Sequence, residues 1–216
     1  MEEIKMLHCD THLQKDVRGY YYGCDGTSLL ANKVITLDPG HGGVYSGGQH
    51  YGFSESDINL AVALKLREKL EGVGATVVMT RTRDVNLALP GSNLDADLQA
   101  RVNFTKIFGA DIFVSLHVDD VPNINLVGFA SYFPEGRSSS LAWAIQTSLI
   151  SETGKIGNGI SPADFYVLVH NEIPAALIEM GYLSNLAEAL CLMDNAYQNL
   201  LAEGILKGII SYFLCQ

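Results

Sequence analysis

Four residues of this chain have the types and spacing that metal-assisted hydrolysis uses. His41 follows the short apolar segment VITLD (34–38) inside the Gly-rich turn DPGHGG, and Glu55 stands beyond the loop 42–54 at the head of an amphipathic segment. His117 closes DIFVSLH, and Glu179 lies within AALIEM. Two imidazoles and a carboxylate, with water in the fourth position, form a recognised catalytic zinc sphere, and a further carboxylate nearby serves as proton acceptor. Neutral ring nitrogens of His41 and His117 would donate to the metal. Glu55, at a helix N-terminus where the dipole favours an anion, would stay ionised. With one ligand charge, zinc keeps net positive charge to polarise a carbonyl and to bring the pKa of bound water toward about 7. Glu179 would take the water proton and pass it to a leaving nitrogen. Gly40, Gly42 and Gly43 allow the tight turn and close backbone approach that such a loop needs. A competing reading stands beside this one, because a lone histidine after a Gly-rich turn is more often a polar loop residue. Glu179 fits that reading poorly, since a carboxylate in an apolar run is costly without a partner. No HExxH occurs, which excludes the common helical zinc-protease motif.

The elements that must position these residues follow from periodicity. VITLD (34–38), ATVVMT (75–80), DIFVSLHV (111–118), LVGFASYF (126–133), DFYVL (164–168) and AALIEM (175–180) read as strands. Between them lie helical segments. ESDINLAVALKLREKLEG (55–72) spaces Ile58, Val62, Leu66 and Leu70 four apart and stops at Gly72, with Ser54 as N-cap and Asp57 three residues on in a capping-box-like spacing. DLQARVNFTKIFG (97–109), SSSLAWAIQTSLISETG (138–154) and a last segment from about Asn195 to Leu214 complete the set, with Trp143 expected on the apolar side of its helix. Six short strands interleaved with about four helices predict an α/β three-layer single domain, its twisted and mostly parallel sheet covered by helices on both faces. In such sheets function gathers beyond the carboxyl ends of the strands, where His41, His117 and Glu179 all fall. Residues 1–32 lack periodicity and read as an N-terminal extension; 33–216 read as the catalytic domain, without repeat, linker or low-complexity tract.

Composition narrows the function classes. The chain has 216 residues, 48% apolar and 18% charged, a length at which a single domain buries roughly 70% of its unfolded surface. Fourteen basic against twenty-four acidic residues give a net charge of −10, which disfavours nucleic acid and anionic lipid as partners. No apolar run reaches the roughly 18 to 20 residues of a membrane helix, and MEEIKMLHCDTHLQKD does not read as a secretory signal. Cys9, Cys24, Cys191 and Cys215 form no CxxC pair; free thiols are the expectation, with a Cys9–Cys24 bridge as the alternative. His8, Cys9 and His12 read as incidental residues of the extension, His50 as a loop residue that borders the groove or is simply solvated, and His170 as surface. Arg81, Arg83 and Arg101 read as structural partners of nearby acids.

The ordered segments VITLDPGHGG, ESDINLAVALKLREKLE, ADIFVSLHVDD and IPAALIEMGYLSN resemble the zinc-dependent N-acetylmuramoyl-L-alanine amidases of the amidase 3 type, from about residue 33 to 214. The resemblance implies Zn2+ as cofactor, with His41, Glu55 and His117 as ligands and Glu179 as the catalytic carboxylate. It implies cleavage of the amide between the lactyl group of N-acetylmuramic acid and L-alanine, with peptidoglycan or a muropeptide as substrate, and a cell-wall or periplasmic setting. A protein activator or anchor is a further expectation, because anionic wall polymers repel a chain of this charge. Where relatives often have HAN or HAD this chain has HVDD, so Asp119 fits the acidic variant and Val118 is bulkier; Val169 falls where relatives often have arginine. Some relatives insert a blocking helix after the third-ligand strand, for which this chain has no room, so an open groove is expected unless residues 1–32 cover it. The rival readings are a zinc carboxypeptidase acting on stem peptides and a non-catalytic wall-binding module.

Overall fold

The computed structural model describes residues 14–16, 19–23 and 27–215. Among them the strands are β1 (Gln14–Lys15), β2 (Tyr21–Tyr22), β3 (Val34–Pro39), β4 (Gln49–His50), β5 (Phe53–Ser54), β6 (Thr76–Met79), β7 (Ile112–Asp119), β8 (Phe129–Pro134), β9 (Gly157–Ala163) and β10 (Ala175–Tyr182). The helices are α1 (Glu55–Gly72), α2 (Leu94–Phe108), α3 (Ser140–Thr153), α4 (Tyr166–Val169), α5 (Leu186–Met193) and α6 (Asn195–Leu214). Six strands make the central sheet in the order β6-β3-β7-β10-β8-β9, while β1-β2 and β4-β5 are separate two-stranded ribbons. The pairings β3/β6, β3/β7, β7/β10 and β8/β9 are parallel and β8/β10 is antiparallel, so the sheet is mixed but mostly parallel, as the alternation of strands and helices predicts.

Alternation along each strand divides the sheet into two unequal faces. Ile35 and Leu37 of β3, Ile112, Val114, Leu116 and Val118 of β7, and Ala176, Ile178 and Met180 of β10 enter one large core with residues of α1, α3 and α6. There Ile58, Val62, Leu66 and Leu70, the predicted stripe of α1, are almost completely buried. Each such side chain contributes about 1.5–3 kcal/mol of burial. The opposite face holds a smaller cluster in which Phe113, Ala175 and Leu177 meet Val167 and Leu168, with Leu98 of α2 against them. By the same period of two, Asp38, His117 and Glu179 belong to this thinner face. The large core carries most of the apolar burial, so the thin face has room for polar groups and a cleft.

Several local features depart from the sequence pattern. DFYVL is not a strand: the sixth strand is β9, an exposed edge with little apolar content to give a period, and residues 166–169 turn into α4 so that Val167 and Leu168 reach the smaller cluster. The helix α5 was not predicted; Asn185 caps it by accepting from the backbone N–H groups of Ala187 and Glu188. Trp143 is only partly buried, because the inward stripe of α3 runs through Leu141, Ala142, Ala144, Ile145 and Leu149 instead. Ser54 precedes α1 but does not cap it. The carbonyls of Gly48 and Ser46 accept from Glu55 N and Ser56 N, which joins the preceding loop to the helix start. Cys191 is a free thiol as expected, whereas Cys215 is disulfide-bonded. His8, Cys9, His12 and Cys24 lie outside the described residues.

The described part of the N-terminal segment packs on the large-core side. Tyr21 enters that core. The carboxylate of Glu203 on α6 accepts from Lys15 Nζ at 2.7 Å, Tyr21 Oη at 2.8 Å and Lys69 Nζ at 2.8 Å, tying β1, β2 and α1 to one point. Burial alone would raise the Glu203 pKa, but the hydrogen bonds from Lys15, Lys69 and Tyr21 outweigh it and hold the group at about 2. A depressed carboxylate pKa stabilises the fold above the ordinary value of 4.5, and that contribution is lost as pH falls through about 2. Glu203→Gln should therefore lower Tm at neutral pH, and the gap to wild type should narrow between pH 4.5 and 2 in thermal melts. A gap that is constant across this range would disconnect the charge of Glu203 from the docking of the segment.

Candidate active site

The parallel registers bring the carboxyl ends of the strands together. β7 lies between β3 and β10, with Leu116 opposite Pro39 and His117 opposite Glu179. The chain leaves β3 through Gly40 and turns at His41, whose φ of 62° lies in the left-handed region that side chains other than glycine rarely occupy. Close packing demands glycine at two places here. A methyl on Gly40 would overlap the ring of His117, and one on Gly47 would overlap the Glu55 carboxylate and the ring of His41.

These approaches place His41, Glu55 and His117 as one cluster. Glu55 Oε2 lies 3.2 Å from His41 Nε2, and Glu55 Oε1 lies 2.9 Å from His117 Nδ1. The two imidazoles meet edge to face with centroids 4.9 Å apart. One ligand atom from each of the three residues lies within 4.8 Å of the others, a donor set of two nitrogens and one oxygen suited to a metal ion. Further donors fix the carboxylate: Gly48 N at 2.9 Å, Val118 N at 3.2 Å and Asn59 Nδ2 at 3.3 Å. Asn59 stands four residues after Glu55 on the same face of α1. Burial pushes the Glu55 pKa up, but hydrogen bonds and charge from His117 and His41 prevail and hold it far below the usual carboxylate range. The group is therefore an anion at neutral pH.

Glu179 has the opposite environment. Its Oε2 is buried without a hydrogen-bond partner. Burial, with the charges of Glu55 and Asp119, raises its pKa well above the ordinary carboxylate value. An orphaned carboxylate oxygen beside a cluster of metal-type donors suits a group that exchanges a proton with a bound molecule. Asp119, one strand residue beyond Val118, is shifted upward by burial and by the charges of Glu55 and Asp120.

All four residues line a cleft of about 590 Å³. Its walls include Tyr45, Leu94, Leu98, Asp119, Phe165 and Tyr166, and among the described residues none before Asp38 lines it. Between β7 and α3 the chain forms only β8 and loops, so no helix blocks the cleft from that side. His50 is not among its lining residues; it pairs with Asp120, which is, at 3.1 Å. His170 stacks on Tyr166 outside the cleft, and Val169 does not line it.

The sequence reading missed the support beneath the site. Asp38 is buried and accepts from Thr80, Ser115 and Arg101. Burial opposes its charge, but Arg101 and these hydroxyls keep its pKa below the ordinary value. Arg101 meets the expectation of acidic partners through Asp38 at 2.8 Å and Asp97 at 3.0 Å. Arg81 does not: it donates to backbone carbonyls, and no carboxylate lies within ion-pair distance of it among the described residues. The polar character of Asp38 at the end of an apolar strand was the signal available for this layer.

Comparison with known proteins agrees with this architecture. The germination-specific N-acetylmuramoyl-L-alanine amidase of Bacillus subtilis is 34% identical over 194 residues, covering 85% of this chain and 81% of that protein. Among solved structures, the CwlD amidase of Clostridioides difficile, determined in complex with the GerS lipoprotein, superposes with a TM-score of 0.78 at 34% identity over 86% of this chain and all of that one. The catalytic domain of CwlV, an N-acetylmuramoyl-L-alanine amidase from Bacillus (Paenibacillus) polymyxa, gives a TM-score of 0.77 at 32% identity, covering 85% of this chain and 99% of that one. The family profile described as N-acetylmuramoyl-L-alanine amidase matches residues 35–211, and this chain belongs to that family.

Proposed function

We propose that this protein is a zinc-dependent amidase that hydrolyses the bond between the lactyl group of N-acetylmuramic acid and the L-alanine of the stem peptide in peptidoglycan. The observation that carries the reading is the convergence of His41, Glu55 and His117 beside the orphaned carboxylate of Glu179 in one open cleft of an amidase-family chain. Residues 33–216 form the catalytic domain in this reading, and 1–32 an extension.

His41 and His117 would hold the metal through ring nitrogens and Glu55 through a carboxylate oxygen, matching the two-nitrogen, one-oxygen set of catalytic zinc sites that keep a position open. Bound there, zinc supplies Lewis-acid polarisation of the scissile carbonyl and acidifies water. With both imidazoles neutral and Glu55 ionised, the ligand set would carry one negative charge. Glu179 takes a proton from the attacking water and delivers it to the departing nitrogen of L-alanine. Its burial and the two neighbouring carboxylates make it a stronger base than an exposed glutamate. Leu94, Leu98 and Phe165 give one side of the cleft an apolar wall against which a bound substrate can pack.

A cell-wall setting is part of the proposal, since peptidoglycan is the substrate of this reading. Among the described residues no helix is long and apolar enough to cross a membrane. A protein partner is part of the proposal, supported by the complex in which the CwlD amidase was determined and by the net charge of −10, which opposes approach to anionic wall polymers.

Mass spectrometry of products from zinc-loaded protein with purified peptidoglycan and a defined muramoyl-peptide tests the reaction. Intact stem peptides with a free L-alanine amine, absent after chelation, are expected; release of single amino acids would establish a carboxypeptidase instead. The division of labour is tested separately. Glu179→Gln should retain zinc and lose kcat by several orders of magnitude, whereas His117→Ala should lose zinc as well. Wild-type turnover in Glu179→Gln would remove this residue from the mechanism.

A further inference from the structure

Two buried arginines grip the backbone that carries His41. Arg81 Nε donates to the carbonyl of Pro39 at 2.9 Å, and Arg81 Nη2 donates to those of Gly40 and Ser56, each at 2.8 Å. Arg81 Nη1 reaches the carbonyl of Arg83 at 3.3 Å. From the other side Arg101 Nη1 donates to the Pro39 carbonyl at 3.1 Å and Arg101 Nη2 to that of His41 at 2.9 Å. Three successive carbonyls, of residues 39, 40 and 41, thus end on guanidinium groups that are 3% and 2% exposed. Asn59 Nδ2 adds a longer contact to the Gly40 carbonyl, at 3.3 Å. The left-handed φ of His41 is a conformation that costs roughly 1–2 kcal/mol for a residue with a Cβ. Such a conformation persists only where its surroundings over-determine it.

The two arginines differ in what they connect. Arg101 joins the turn to Asp38 and Asp97. Arg81 joins the turn to the first helical turn of α1, through Ser56, the residue after Glu55. Its hydrogen-bond partners are all carbonyls, most of them from the two segments that present His41 and Glu55, while Asp38, Asp84 and Asp57 support its charge from a greater distance. A planar fork with fixed donor directions can hold both segments at once; an ammonium group, a point charge on a flexible stem, cannot reproduce that geometry.

From this we infer that Arg81 is a positioning residue that sets the separation of His41 and Glu55, and so the metal affinity of the site, without touching substrate. The inference rests on the proposed reading of His41, Glu55 and His117 as ligands. Zinc dissociation constants are measured by competition with a chromophoric chelator for wild type, Arg81→Lys, Arg81→Gln, Glu55→Gln and Leu149→Ala. Tm of each metal-free protein, and kcat and KM on a muramoyl-peptide at saturating zinc, are measured beside them. Leu149 is fully buried in the large core away from the cleft and controls for loss of stability alone.

A folded Arg81 variant should bind zinc about 10–100-fold more weakly, the range for losing support behind a metal ligand, with KM unchanged. Leu149→Ala should lower Tm yet keep wild-type zinc affinity. Two Arg81 variants are included so that one folded protein suffices for the comparison. Unchanged zinc affinity in a folded Arg81 variant overturns the inference, and so does an equal loss in Leu149→Ala, which would trace the effect to general destabilisation. If Glu55→Gln binds zinc as tightly as wild type, the ligand reading itself fails, and the inference with it.

Discussion

The carboxylate of Glu55 is the point on which the site depends. Its two oxygens face His41 from the β3 turn, His117 from β7, and the backbone N–H groups of Gly48 and Val118. Loop, helix and strand therefore meet on one charged group. One end of the loop 42–54 is tied to it, because Gly48 N–H donates to the carboxylate while the Gly48 carbonyl accepts from the Glu55 backbone N–H. An anion this far from bulk water survives only with such a surplus of donors, since a buried charge without partners would neutralise instead. Glu179 illustrates the alternative a short distance away: with one oxygen unpartnered and two carboxylates nearby, it holds a proton more tightly than an ordinary glutamate. Two glutamates of the same intrinsic acidity are thereby pushed apart, which is how one cleft supplies both a fixed anion and an exchangeable proton.

The separation is possible because the sheet has unequal faces. Packing α1, α3 and α6 against one face supplies the large continuous core. Among the described residues the helices over the other face are α2 and the single turn of α4, and the cleft lies beside them. A thicker second layer would bury His117 and Glu179 completely, whereas without α2 Asp38 would lose Arg101, its buried cation. The described part of the N-terminal segment packs against the thick face through Tyr21 and Glu203. The described residues of this segment therefore add to the core side of the sheet and not to the cleft.

How much of this the sequence disclosed depends on whether a side chain's task is periodic. α1 was legible to the residue, because its stripe of Ile58, Val62, Leu66 and Leu70 repeats with the helix and Gly72 marks its end. The strands carrying His41, His117 and Glu179 were legible as apolar runs, and strand-end position alone selected those residues. Edge strand β9 was not, because GNGISPA faces solvent for most of its length and has no hydrophobic pattern to read. DFYVL misled for the converse reason: its apolar residues fill a small cluster from a single helical turn, and burial over so few residues does not reveal its period. Trp143 lies between the buried positions of α3, where its size suggested the core but its phase did not.

The arginines show a different limit of sequence reading. Nothing local distinguishes Arg81 from Arg83, since both follow β6 within the same short stretch, and only the tertiary fold turns the first inward. Their partners also resist inference from composition, because backbone carbonyls are present at every residue and leave no mark in the sequence. An acid-base pairing rule finds Arg101, which has Asp97 four residues before it on α2, and fails for Arg81. Yet the carbonyl-bound arginine is the better suited to fixing a turn. A carboxylate partner brings its own flexible side chain, whereas carbonyls are part of the backbone being held, so each hydrogen bond restrains the main chain directly.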